Sequence, residues 1–149
     1  MPEIVDVTEL PALKGRDLGS SRWWEVTQEQ ISTFAQLTGD EQWIHVDTER
    51  ARTGPFGTTI AHGYLTVALA PVFIAEILQV DGLQMAMNYG LNKVRFPTPV
   101  PVGARLRGRL QLTAAQHRGD MVETLLTLTI QLEGSERPAC VAEIVVLYR

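Results

Sequence analysis

A chain of 149 residues is long enough to bury a core without disulfide or metal staples, so residues 1–149 are expected to form one domain. With 13 basic residues against 17 acidic, a net charge of -4 and no basic run able to track phosphates, it offers nothing to nucleic acid. The single cysteine, Cys140, lies in the apolar stretch from Ala139 to Val146 and reads as a buried, inert thiol suited to a reducing cytoplasm.

Glu3, Asp6 and Glu9 leave the N-terminus without the basic and apolar regions of a signal peptide, and a cytoplasmic protein is expected. Residues 1–19 are weakly patterned and are expected to form a leader lying on the domain. Trp23 and Trp24 favour a short strand from Ser21 to Val26, as core or interface aromatics. Thr27 then opens a helix, with Gln30 at capping-box spacing and Val26 and Ile31 at staple positions. Ile31, Phe34, Ala35 and Thr38 repeat at helical spacing, and Gly39 suits the left-handed position that stops a helix.

Asp40 and His45 follow that stop directly. On a continuous helix they would lie roughly 140° apart and could not share a target, so a loop is needed to fold them together. Asp47 is placed to cap a short helix through about Arg52, and Gly54-Pro55-Phe56-Gly57 breaks the chain before Ile60-Ala61-His62-Gly63. The segment from Tyr64 to Gln79 is apolar nearly all round, the pattern of a central helix, and is too short for the roughly 20 residues of a bilayer span. Pro71 removes one helical donor and predicts a bend or break.

The second half changes period. A strand is predicted from Met85 to Phe96, alternation marks another around Leu106 to Leu112, and β-formers fill Val122 to Leu132 and Ala139 to Tyr148. Arg118-Gly119-Asp120 and Gly134-Ser135-Glu136 read as turns, with His117 at a hairpin end. One buried helix and four long strands imply an α+β layer, an antiparallel sheet wrapped around the helix. One helix cannot cover both faces of such a sheet, which leaves an exposed apolar face as a candidate for dimerisation.

Three ordered strings carry a resemblance: Thr38-Gly39-Asp40 with His45 and Asp47, then Gly54-Pro55-Phe56-Gly57 with Ile60-Ala61-His62-Gly63, then Arg95-Phe96 with Pro99-Val100. Over roughly residues 20 to 149 the chain resembles the MaoC-like, (R)-specific enoyl-CoA hydratases of the hot-dog fold. It looks closest to a branch that includes nodulation-protein-N-like proteins, where Gln42-Trp43 stands at the place of the more usual Asn-Pro. This departure leaves the acid/base pair intact and bears on acyl-chain preference.

The resemblance implies that Asp40 and His45 are catalytic, holding a water that adds across a trans-2-enoyl thioester to give an (R)-3-hydroxyacyl-CoA. Water is a poor nucleophile, so a positioned base takes its proton during attack on C3 while a proton is delivered to C2. Charge developing on the thioester oxygen needs preorganised donors, which the backbone at His62-Gly63 would supply. Gly63, His62, Gln42 and Trp43 are then substrate-binding candidates, with acyl-tunnel lining around Ile60, Leu65 and Leu69. Asp47 is read as a helix cap. Lys93 and Arg95 are candidates for coenzyme A phosphates or for a solvated strand edge.

No metal and no cofactor beyond the coenzyme A of the substrate is expected, since His45 and Asp47 lack evident third and fourth ligands. The resemblance also implies a homodimer, and neither a membrane nor nucleic acid is expected as partner. Two rival functions share the fold: an acyl-CoA thioesterase or acyl-carrier-protein dehydratase, and a non-catalytic acyl-binding or assembly subunit.

Overall fold

The computed structural model describes residues 1–149. Its frame is a six-stranded sheet built from β2 (Asp17–Ser20), β3 (Trp24–Glu25), β5 (Ala86–Arg95), β6 (Arg105–Arg118), β7 (Met121–Leu132) and β8 (Cys140–Tyr148). The order is β2-β6-β7-β8-β5, with β3 also pairing β6, and every pairing in this sheet is antiparallel. Strict alternation sets the register. Along β7, Val122, Thr124, Leu126, Leu128, Ile130 and Leu132 point inward and are buried, while Glu123, Thr127, Thr129 and Gln131 face outward. A one-residue slip would exchange these sets, so the hydrophobic pattern holds the pairing.

Two helices lie in the curve of the sheet, α4 (Gly63–Ala68) and α5 (Ala70–Ile77), α4 against β8 and α5 against β6 and β2. Together they make the hot-dog arrangement. The expected single long helix is divided at Leu69, which ends α4 and starts α5, because Pro71 at the first turn of α5 has no N–H to continue the ladder. The Val72 amide bonds to Leu69 O at 3.0 Å instead, and Phe73 reaches the same carbonyl at 3.4 Å. Phe73 is 1% exposed, the largest fully buried side chain. Helical structure stops at Ile77, and Gln79 belongs to β4 (Leu78–Asp81).

The first 20 residues are more than a leader. β1 (Glu3–Asp6) pairs in parallel with β4, and a 3-10 helix (Val7–Leu13) sends Leu10 and Leu13 into the core with Leu110 and Leu112. Asp6 caps that helix in a capping box with Glu9. The strand expected from Ser21 to Val26 shrinks to Trp24–Glu25.

The sheet's outer face is not the apolar surface that had been expected. Arg105 and Arg109 pair there with Glu133 and Asp17, Arg107 bonds Gln131 at 2.8 Å, and Trp23 lies under Arg107 at 4.5 Å. Apolar exposure is found instead along β5, where Met87, Tyr89 and Leu91 are 38%, 58% and 51% exposed on the strand that ends the sheet. No helix is long and apolar enough to cross a membrane.

Candidate active site

Local chemistry delivers Asp40 and His45 to one place. α1 (Gln28–Thr38) starts at Thr27, whose hydroxyl accepts from the Gln30 amide while Gln30 returns a bond to the Thr27 amide. It ends at Gly39, whose φ of 80° is open to glycine and costly for a residue with a Cβ. Three residues on, a single helical turn, α2 (Trp43–Val46), carries His45 back toward Asp40. Asp47 then caps α3 (Thr48–Arg52) through the Arg50 amide at 3.0 Å, so its carboxylate is committed to structure.

The outcome is a carboxylate and an imidazole with Asp40 Oδ2 4.0 Å from His45 Nε2. That is too long for a direct hydrogen bond. Two hydrogen bonds of about 2.8 Å diverging from one water at the tetrahedral angle separate their acceptors by roughly 4.5 Å, so the gap suits a shared water. His45 is 7% exposed, and its Nδ1 lies 2.7 Å from the Ile60 carbonyl oxygen. A carbonyl only accepts, so Nδ1 carries a proton, and in the neutral ring it is Nε2, the nitrogen nearest Asp40, that bears the free lone pair. The Asp40 side chain is 56% exposed, open to an incoming substrate.

Residues that the sequence did not single out fix His45. Gln28 donates through Nε2 to the His45 carbonyl at 2.8 Å and to Ser32 Oγ at 3.1 Å, and its Oε1 accepts from Thr59 Oγ1 at 2.5 Å. Ile60 N–H bonds to Ile44 O at 3.0 Å, locking α2 to the segment that precedes α4. Apart from the bond to Ser32, one helical turn away, these bonds join positions 15 to 31 apart, and no sequence pattern marks them.

His62, 3% exposed, stacks on His45 with ring centroids 3.8 Å apart and 24° between planes, and its Nε2 lies 2.8 Å from the Asp40 carbonyl oxygen. The amides of Gly63, Tyr64 and Leu65 make no bond within the protein; the first bonded amide of α4 is that of Thr66, to His62 O at 3.1 Å. A Cβ at Gly63 would stand 2.9 Å from Phe96 Cδ2, so the missing side chain lets the Phe96 ring close on the start of α4.

Ligand atoms of Asp40, His45 and His62 lie within 4.8 Å of one another. Imidazole lone pairs lie in the ring plane, however, and two rings stacked at 3.8 Å direct them along nearly parallel planes. An ion in the plane of one ring is therefore out of the plane of the other, a poor fit to a shared tetrahedral site.

Trp43 and Gln42 are placed differently. The Trp43 indole lies under Arg50 at 4.3 Å and so near Gly54 that a Cβ there would be 2.9 Å from Cζ3. Gln42 is exposed, gives its carbonyl to the His45 amide at 3.0 Å, and makes no side-chain hydrogen bond. Lys93 and Arg95 are exposed on β5, and Arg95 bonds the Val94 carbonyl. His117 lies near the end of β6, opposite Val122.

A cavity of about 690 Å³ is lined by Val67, Pro71, Ile74, Leu91, Ile144 and Tyr148 among others, and by neither Asp40 nor His45. The expected lining by Ile60, Leu65 and Leu69 does not hold for it. Ile60 and Leu65 are each 8% exposed and turned into the core, while the opposite flank of the helix pair faces β5.

The profile of the MaoC like domain matches residues 10–132. Among curated proteins, 3-hydroxyacyl-thioester dehydratase Z of Mycobacterium tuberculosis is 51% identical over 143 residues, 95% of each chain. Nodulation protein N of Rhizobium leguminosarum bv. viciae is 41% identical over 141 residues, 93% of this chain and 88% of that one. Among solved structures, the (R)-hydratase of A. caviae superposes with a TM-score of 0.72 at 26% identity, covering 89% of this chain and 94% of that one.

Proposed function

Because the chain belongs to the MaoC-like dehydratase domain family, whose hydratases and dehydratases act on thioesters, we propose that it reversibly hydrates trans-2-enoyl-CoA to (R)-3-hydroxyacyl-CoA. The observation that carries this reading is the water-sized gap of 4.0 Å between Asp40 Oδ2 and His45 Nε2. A water seated there donates to both acceptors and keeps a lone pair for C3. As its oxygen bonds to C3, the C2–C3 π pair moves toward the thioester carbonyl, one water proton passes to the Asp40–His45 pair, and a proton returns to C2. Free amides at the start of α4, Gly63 first, are the donors for the enolate oxygen.

Water adds across C2–C3 with no net change of oxidation state, C3 gaining oxygen as C2 gains hydrogen, so the reaction needs no redox cofactor, and coenzyme A enters with the substrate. The name of the 51% identical relative specifies a thioester and not its carrier, so an acyl-carrier-protein substrate is the second reading. We take the working unit as a homodimer in the cytoplasm. β5 ends the sheet with an unpaired edge, its exposed Met87, Tyr89 and Leu91 beside the 690 Å³ cavity, and one chain holds both Asp40 and His45, so two identical copies would each be active.

The test follows the enoyl absorbance of crotonyl-CoA and assays free thiol in the same tube. Loss of absorbance with an (R)-3-hydroxy product and no thiol supports hydration. Thiol release would assign a thioesterase, and no change with either crotonyl-CoA or a crotonyl carrier protein would leave a binding subunit.

A further inference from the structure

We propose that His62 is a positioning residue for the hydration, a single ring that holds the Asp40 backbone and the His45 imidazole in register. The proposal rests on the hydration reading above and adds a residue to it. Asp40 follows a helix stop and its exposed side chain makes no hydrogen bond, so what fixes its carboxylate is the backbone beneath it. There the Asp40 amide has a bond of 3.4 Å to Thr38 Oγ1, while its carbonyl receives His62 Nε2 at 2.8 Å. The shorter bond, made from a side chain 3% exposed, is the stronger restraint.

The same ring lies flat on His45 at 3.8 Å, with Phe34 tilted against it at 5.0 Å. Ile60 O holds His45 in its own plane and His62 backs it on one face, so both rotation and tipping toward that face are restrained. The 4.0 Å gap between the two acceptors is therefore set on both sides by one residue.

The second nitrogen of His62 shows that the ring is not there for packing alone. Bonding from Nε2 to a carbonyl places the proton on Nε2, and Nδ1 is buried with no partner among the protein's own atoms. Leaving a buried polar atom unpartnered costs about 1–3 kcal/mol. A phenylalanine would fill the space and stack without that cost. What it cannot do is donate to Asp40.

The experiment compares the parent protein with His62→Phe, which keeps the ring, and His62→Gln, which keeps a donor. Thermal unfolding confirms that each variant is folded, and crotonyl-CoA hydration gives kcat and KM separately. The expected result is a fall in kcat of about 10- to 100-fold for His62→Phe, the size of effect that a misplacement of about 1 Å produces. KM should stay within about 3-fold, since the lost interaction serves the transition state. His62→Gln should recover part of kcat. Parental kcat in both variants, a change confined to KM, or a Gln variant no better than Phe would overturn the proposal.

Long-range proton–nitrogen spectra of the parent protein need no variant to fold. They should find the His62 proton on Nε2 and the His45 proton on Nδ1; a His62 proton on Nδ1 would break the bond to Asp40 on which the proposal stands. If the parent protein hydrates neither crotonyl-CoA nor a crotonyl carrier protein, the reaction reading has failed, and the spectra still decide the His62–Asp40 bond.

Discussion

The sheet and the catalytic corner are held together by different physics. In the sheet, β6, β7 and β8 pair over most of their length, and the buried face from Leu106 to Ile144 is almost wholly apolar, so each position is supported by many neighbours. In the corner from Thr27 to Gly63, His45, His62 and Thr59 are buried polar groups, each placed by one or two hydrogen bonds. Damage to the first should appear in stability and damage to the second in rate.

The largest separation of the two should come from Asp40→Asn and His45→Gln. Each replaces a base beside the shared water with an amide that can still accept its hydrogen bond but cannot take its proton, and turnover should fall about 10²- to 10⁴-fold, as for the loss of a general acid or base. The melting temperature should stay near that of the parent, and steady-state hydration beside a thermal melt reads both. The mirror image is Phe73→Ala, which empties the space between α5 and β6 and should cost about 3–5 kcal/mol in urea unfolding while kcat per folded molecule is kept. A Phe73 variant that is stable but slow would dissolve the distinction.

Gln28→Leu lies on the boundary. It frees the His45 carbonyl and leaves Thr59 Oγ1 without its acceptor, so it should cost about 1–3 kcal/mol and also lower kcat, whereas Thr27→Ala removes only a cap and should cost about 1 kcal/mol. The smallest response is predicted at Cys140. Burial pushes its thiol up to about 11, so a thiol reagent at pH 8 should leave it unmodified until the chain is unfolded.

What was legible in the sequence was local. The capping box of Thr27 and Gln30, the stop at Gly39, the Asp47 cap and the break before Pro71 each depend on residues within one turn, and each lies where its spacing puts it. The alternating strands were legible for the same reason. The first 20 residues were not, because the parallel pairing of β1 with β4 and the burial of Leu10 and Leu13 are long-range events. One local signal was available there: Asp6 and Glu9 have the same capping-box spacing as Thr27 and Gln30.

The site divides along the same line. Asp40 and His45 lie within one short string and were named from it, but Gln28, Thr59 and the double contact of His62 join segments 17 to 31 residues apart that only the fold brings together. Trp43, expected at the substrate, turns to Arg50 and Gly54, neighbours that its own sequence context does not announce.

The central claim is that Asp40 and His45 act as one unit on one water, and a double-mutant cycle tests it most directly. Hydration rates are measured for Asp40→Asn, His45→Gln and the double variant. If the pair holds a single water, the second substitution adds almost nothing to the first, as for catalytic groups that work together. Losses that multiply, or single variants that turn over at the parental rate, would contradict it.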